Sequence, residues 1–422
     1  MKPFISIYLT ILIFLTVTGE ASAVQNEENS DETTSVTLVE GGTLWIDDTW
    51  SERDFFMVDG RIRFQTDRAV TDTINVSGQY VTPGFADAHT HNLDRAWQRG
   101  YVDRYLSEGT LAVLNLTSKS EGASDFREFL ETRPSPEVRY SNWGFTSTLG
   151  HPFMAYEPYA MGLNDPSTWN DMADSISNSR LDLYNSYAFV DSVEQLEMIW
   201  PEFLQTNPDV VKIYYFNEGA IEDRVPGSYG LRLGVAEAII DSAKAAGLRV
   251  FAHIETRDEF KAMLDAGVDA IAHMPGYGWG GNAKTYNDIY LPDMLLRRAA
   301  DNNVVIIPTA VLNRFIHQND QAGFNATVTL QNDLIRRYRS MGGVIAPGSD
   351  VFAQTGQLMY EYYAEHINMP AEDKLEMFTT ESTDVVLPDV RAGRLLDGYR
   401  ASFLVFDDKP FESDTWKKPE IV

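Results

Sequence analysis

The chain has 422 residues, 44% of them hydrophobic, too many for one small core and enough for a large barrel with an added domain. It contains no cysteine, which excludes disulfides, a zinc ribbon and a thiol nucleophile. With 62 acidic against 34 basic residues the net charge is −28, which repels nucleic acid and anionic lipid, so neither is expected as a partner.

Residues 1–23 read as a signal peptide: Lys2 precedes an apolar run from Phe4 to Val17, and Ala21-Ser22-Ala23 supplies a small-x-small cleavage site. The run is shorter than the roughly 20 residues a spanning helix needs. No stable membrane anchor is therefore expected, and the predicted location is periplasmic or secreted. Residues 24–35 are polar, acidic and without periodicity, the pattern of a flexible leader. Over 36–82 short alternating strands follow: VTLVEGGTLWI, DFFMVDGRIRFQ with Asp59-Gly60 as a hairpin turn, and TINVSGQYVTPG. Residues 389–422 contain a further such stretch within LLDGYRASFLVFDDKP, so the two ends together predict one small composite β-sandwich. Between them, over 83–388, apolar runs alternate with helical stretches such as GLRLGVAEAIIDSAKAAG and RDEFKAMLDAG, each closing at a glycine that can cap a helix. That alternation predicts an α/β fold with a parallel sheet.

Several of these runs end in a residue able to bind metal. VTPGFADAHTH carries His89 and His91 at i and i+2, a spacing that puts both imidazoles on one face of a strand. VVKIYY carries Lys212, LRVFAH ends in His253, DAIAH in His273 and GGVIAPGSD in Asp350. In a parallel barrel the strand C-termini converge on one mouth, where catalytic residues gather. Imidazole nitrogen and carboxylate oxygen suit zinc and its neighbours better than magnesium. A protonated Lys212 offers no lone pair, so as a ligand it must be neutralised or converted. Its plainer alternative is an ion pair with Glu218 or Asp350.

This ordered series resembles the amidohydrolase superfamily, in particular its imidazolonepropionase-like and prolidase-like metal-dependent hydrolases. Further matching stretches are GRIRF before the barrel, AGVDAIAH leading into His273, and GRLLDGYRASFLVFDDKPFE near the end. The likeness runs over nearly everything after residue 35, and departs from the family's Ala-Asp-Leu-Val return strand at Ala401-Ser402-Phe403-Leu404-Val405. It implies a (β/α)8 TIM-like barrel with a composite β-sandwich. It implies two divalent metal ions, with zinc expected: His89, His91 and Asp350 hold the first, His253 and His273 the second, and a carbamate on Lys212 bridges them. The reaction implied is cleavage of an amide C–N bond, in an Xaa-Pro-like dipeptide or a cyclic amide, by a metal-bridging hydroxide. Asp350 would then be the general acid/base. His151 resembles a substrate-contacting position of related hydrolases.

Outside that set, Tyr229 is a candidate oxyanion donor and Arg314 a candidate partner for a substrate carboxylate. Tyr214 reads as core, and His317 and His366 as surface or helix residues. The aromatic stretches from Tyr277 to Trp279 and from Tyr360 to Tyr363 either wall a pocket or pack. The expected partner is a small molecule or dipeptide, and a homo-oligomer is left open. Three other readings are a mononuclear deaminase that uses Glu255, a lactonase-like or phosphotriesterase-like hydrolase, and an exported non-catalytic metal-binding protein. A general base such as Asp350 speaks against the last.

Overall fold

In the computed structural model the described residues are 35–218, 225–277 and 285–420. The expected signal peptide, the leader up to residue 34, and Trp279 lie outside them. The strand-rich beginning divides between two sheets. Val36–Glu40 pairs antiparallel with Phe55–Val58 and parallel with Asp72–Asn75, while Phe55–Val58 turns back into Arg61–Arg63. Asp59 at φ 52° and Gly60 at φ 69° give the left-handed conformation that a type I′ hairpin turn requires at both central positions. In the other sheet Thr43–Ile46 pairs antiparallel with Thr49–Glu52 and parallel with Tyr80–Pro83, which takes Phe403–Phe406 antiparallel on its far side. VTLVEGGTLWI is thus two strands, parted at Gly41 with φ 83°. One buried apolar cluster joins both sheets, with Val39, Phe55 and Ile62 meeting Leu44, Val81 and Val405.

The strands that carry the polar series are parallel. Phe85–Thr90 pairs with Thr110–Asn115, which pairs with Glu137–Tyr140. A six-stranded sheet runs in the order Tyr187–Phe189, Gly144–Thr146, Val211–Tyr214, Val250–His253, Ala270–Ala272 and Val305–Ile307. Every residue of Phe85–Thr90, Val211–Tyr214 and Val250–His253 is buried, as strands covered on both faces are. The helix Leu233–Ala245 buries Val235, Ala236, Ile239, Ile240 and Ala243, one stripe at helical spacing, in the same core cluster as Val211 and Val250.

The expected barrel takes the form of two parallel sheets among the described residues, and its predicted eighth strand forms no ladder. Ile345 makes an isolated parallel bridge to Ile306. Beyond it Pro347 has no N–H to donate and Asp350 turns left-handed at φ 49°. The segment still spans its neighbours by single bonds: Ile306 N–H donates to the Val344 carbonyl, Ala88 N–H to Pro347 and Asp350 N–H to His89. Helix Arg257–Ala266 starts at a capping box between Thr256 and Glu259 and stops at left-handed Gly267. Among the described residues no helix is long and apolar enough to cross a membrane.

Candidate active site

The strand Phe85–Thr90 delivers His89 and, just past its end, His91, whose Nε2 atoms lie 3.3 Å apart. Asp350 faces them, its Oδ1 2.8 Å from His91 Nε2 and 3.4 Å from His89 Nε2, its Oδ2 3.5 Å from His273 Nδ1. One ligand atom from each of His89, His91 and Asp350 lies within 4.8 Å of the other two. His253 closes Val250–His253 with its ring centre 4.5 Å from that of His273, which stands 5.1 Å from His89. These residues and Lys212 line one cavity of about 250 Å³.

The backbone around this mouth is strained. His273 has φ 80°, Thr309 47°, Asp350 49° and Thr117 59°, a left-handed region that costs non-glycine residues on the order of 1–3 kcal/mol each. Hydrogen bonds hold each turn. His273 Nδ1 is 2.8 Å from Thr309 Oγ1, Asp350 N–H donates to the His89 carbonyl at 2.7 Å, and the Thr117 carbonyl accepts from the Tyr156 hydroxyl at 2.8 Å. Beneath them Asp87, wholly buried, clamps two segments. Its Oδ1 accepts from His89 N–H at 3.1 Å and Ser349 N–H at 3.0 Å, its Oδ2 from the Ser349 hydroxyl at 2.6 Å. Burial raises the Asp87 carboxyl to about 6 against the lowering effect of these donors.

Burial, reinforced by nearby positive charge, holds His89, His253 and His273 well below the ordinary imidazole range. Neutral imidazoles present the lone pairs that metal ions need. Burial also lowers the Lys212 amine from 10.5 to about 7, against the opposing pull of Asp350. Its Nζ has no hydrogen-bond partner among the described residues, nor has Nδ1 of His89 or His253. Glu218, the alternative partner for Lys212, instead accepts from the Tyr215 hydroxyl at 3.3 Å and from Leu233 N–H at 3.2 Å. Crowded neutral imidazole and carboxylate donors fit a divalent-metal centre, since a cation takes up their lone pairs and relieves the crowding.

The remaining sequence candidates divide. His151 lines the cavity, its ring 5.1 Å from His253 and 5.0 Å from Tyr214. Tyr214, expected to be core, lines it too, with its hydroxyl 2.7 Å from Thr117 Oγ1. Tyr229 and Arg314 are not among the lining residues. The Tyr229 hydroxyl donates to the Thr148 carbonyl at 2.7 Å, and its own carbonyl accepts from His151 N–H at 2.8 Å; Tyr229 thus supports His151. Arg314 is drawn away by Glu365 at 2.7 Å and Glu361 at 3.6 Å, two carboxylates of the helix Gln357–His366. His317, expected as a surface or helix residue, is buried at the end of the helix Asn313–Ile316, 3.3 Å from the Thr327 hydroxyl. Tyr360, Tyr362 and Tyr363 pack in the core, whereas Tyr277 stacks on His273 at 4.2 Å with its hydroxyl 3.5 Å from His253 Nε2. Sequence reasoning missed Thr309 and Tyr156. The Tyr156 hydroxyl sits 3.2 Å from His91 Nδ1, and the aromatic run FMAYEPY after His151 was the sole hint of it.

No family model and no curated protein sequence matches this chain. Solved structures do. An ochratoxinase from A. niger superposes with a TM-score of 0.67 at 16% identity, over 90% of this chain and 91% of that one. An Xaa-Pro dipeptidase with methionine bound in its active site gives 0.68 at 17% identity, over 90% and 97%. A prolidase complexed with N-methylphosphonate-L-proline gives 0.65 at 20% identity, over 90% and 94%. Likeness at such identities, spanning nearly the whole length of each partner, is a likeness of fold. The chain has the fold of the prolidase-like amidohydrolases.

Proposed function

We propose that this protein is a metal-dependent hydrolase that cleaves an amide C–N bond in a small molecule or dipeptide. The observation that carries the reading is the convergence of His89, His91 and Asp350 within 4.8 Å on a cavity that also holds His253, His273 and the unpartnered amine of Lys212. His89, His91 and Asp350 would hold one divalent ion, His253 and His273 a second, with Lys212 between them as a carbamate. Zinc suits this donor set. An amine brought to about 7 by burial is substantially unprotonated at neutral pH, the form that reacts with carbon dioxide. When bound, such ions activate water and polarise a carbonyl.

The chain's own groups do the rest. Asp350 accepts the proton of the attacking water as the C–O bond forms and delivers it to the leaving amine as the C–N bond breaks. Its fixed turn and its 2.8 Å contact with His91 keep the carboxylate beside both events. Burial holds the Tyr277 hydroxyl well above its ordinary range, so it stays protonated as a donor at the cavity wall. Tyr156 orients His91 through Nδ1. Export to the periplasm or beyond belongs to the proposal on the strength of Lys2, the apolar run and Ala21-Ser22-Ala23 alone.

One observation favours a deaminase as the second reading: Glu255 Oε1 reaches to 4.0 Å from His253 Nε2. Against it, Glu255 does not line the cavity, and its N–H is fastened to Glu259 at 2.8 Å. Kinetics on dipeptides, cyclic amides, lactones and aminated heterocycles separate the two. Asp350→Asn should abolish turnover while Glu255→Gln changes it by less than about tenfold, with amine and carboxylate as products. Equal damage from both changes, with ammonia released from a heterocycle, would establish the deaminase.

A further inference from the structure

Three exposed aromatic side chains share one compartment. Trp97 is 56% exposed, Tyr159 43% and Phe352 39%, and all three line a second cavity of about 570 Å³. Tyr156 and Phe352 line this cavity and the metal-ligand cavity alike, so the two spaces adjoin across a shared wall. Single exposed apolar residues are ordinary, but several gathered in a concavity beside a reactive centre form a ligand surface. The inner cavity, about 250 Å³, falls below the roughly 300–1,000 Å³ of sites that enclose drug-sized ligands. A substrate larger than the inner cavity, with its amide beside His91 and Asp350, extends outward past Tyr156 and Phe352.

The outer compartment is lined by aromatic rings and electrically balanced. The Phe352 and Tyr159 rings lie 8° from parallel with centres 6.4 Å apart. The Arg95 guanidinium carbon lies 4.8 Å from the Phe352 ring centre and 5.4 Å from that of Tyr156. Arg95 Nη1 is fixed by Asp94 Oδ1 at 3.0 Å and by the His91 carbonyl at 3.5 Å, which ties this wall to the metal-ligand segment. Charges cancel in pairs, Arg95 with Asp94 and Lys119 with Asp182 at 2.7 Å, so the compartment has no excess charge with which to select an ion.

Resting on the hydrolase reading above, we propose that this compartment is an aryl subsite: the substrates are amides bearing an uncharged aromatic ring that stacks on the Phe352 and Tyr159 wall, with Trp97 at its edge. The ring is carried on the amine side or the acyl side of the scissile bond. Substrates matched ring for ring decide. On the amine side N-benzylacetamide is compared with N-(cyclohexylmethyl)acetamide, and on the acyl side phenylalanyl-proline with cyclohexylalanyl-proline, using the metal-loaded full chain. In one pair the aryl member should be favoured in kcat/KM by about five- to tenfold, and a carboxylate on the ring should remove the gain. Trp97→Ala and Phe352→Leu should each bring the ratio toward one, while Trp97→Phe keeps it. Equal kcat/KM within both pairs, or an aryl preference that neither substitution alters, overturns the proposal. If no amide is turned over, the hydrolase reading fails, and saturation-transfer NMR still reads the subsite. The benzyl ring should then be saturated by the wild-type chain and not by folded Trp97→Ala; equal saturation, or none in either, overturns the subsite as well.

Discussion

Burying an amine without a hydrogen bond is costly, and Lys212, in the cavity, has no hydrogen-bond partner among the described residues. Its amine sits near 7 when folded, against 10.5 in the open chain. Between those values the unfolded metal-free chain binds the extra proton, so stability should rise with pH from about 7 to about 10.5. Lys212→Met removes the group at nearly constant volume. Urea unfolding of the metal-free variant at pH 7 should show a gain of about 1–3 kcal/mol and a flatter pH dependence, together with loss of turnover. A variant that unfolds more easily and keeps its activity would make Lys212 an ordinary structural residue. At this scale the residues that line the cavity were legible as a group: the two-residue spacing of His89 and His91 needs only strand geometry, His253, His273 and Asp350 close apolar runs, and Lys212 stands within one. The placement of Arg314 was not legible because Glu361 and Glu365, which hold it, lie about fifty residues away on a helix whose placement no local pattern announces. Tyr156 was missed for the same reason, since it meets His91 across 65 residues of chain.

The segment 344–350 and the strand Phe85–Thr90 act as one unit through Asp87. Replacing Asp87 with Ala removes three acceptor contacts and leaves buried N–H donors of His89 and Ser349 unsatisfied. Metal affinity or activity should fall about 10- to 100-fold, as it does when groups behind a ligand are lost. Ser349→Ala, which loses the hydroxyl contact alone, should do less. Metal titration of the two variants checks the order; an unchanged affinity in Asp87→Ala would mean that Asp350 holds its place unaided. The apolar pattern of GGVIAPGSD announced an eighth strand, yet patterning is blind to the missing donor of Pro347 and to the left-handed turn at Asp350. Those two features keep the segment out of a ladder and aim the carboxylate at the histidines. Helix Arg257–Ala266 was the opposite case, because its Thr256–Glu259 capping box and closing Gly267 are written in adjacent residues.

At the scale of the molecule, alternating apolar and helical stretches announced parallel sheets, and strand-rich stretches at both ends announced their association. That association is realised where Phe403–Phe406 joins Tyr80–Pro83. We propose that segments 36–82 and 389–422 together make a composite β-sandwich, supported by the cluster that joins both terminal sheets. The division of VTLVEGGTLWI between two sheets was not legible, because both halves alternate alike and only the turn at Gly41 parts them. The net charge of −28 bears on solubility and partners rather than on fold. The most direct test of a metal-dependent amide hydrolase follows metal content and amide turnover in one sample through chelation and re-addition of zinc. The expected result is about two divalent ions per chain, with activity lost on chelation and recovered with the metal. Undiminished turnover by protein that contains no transition metal would contradict it.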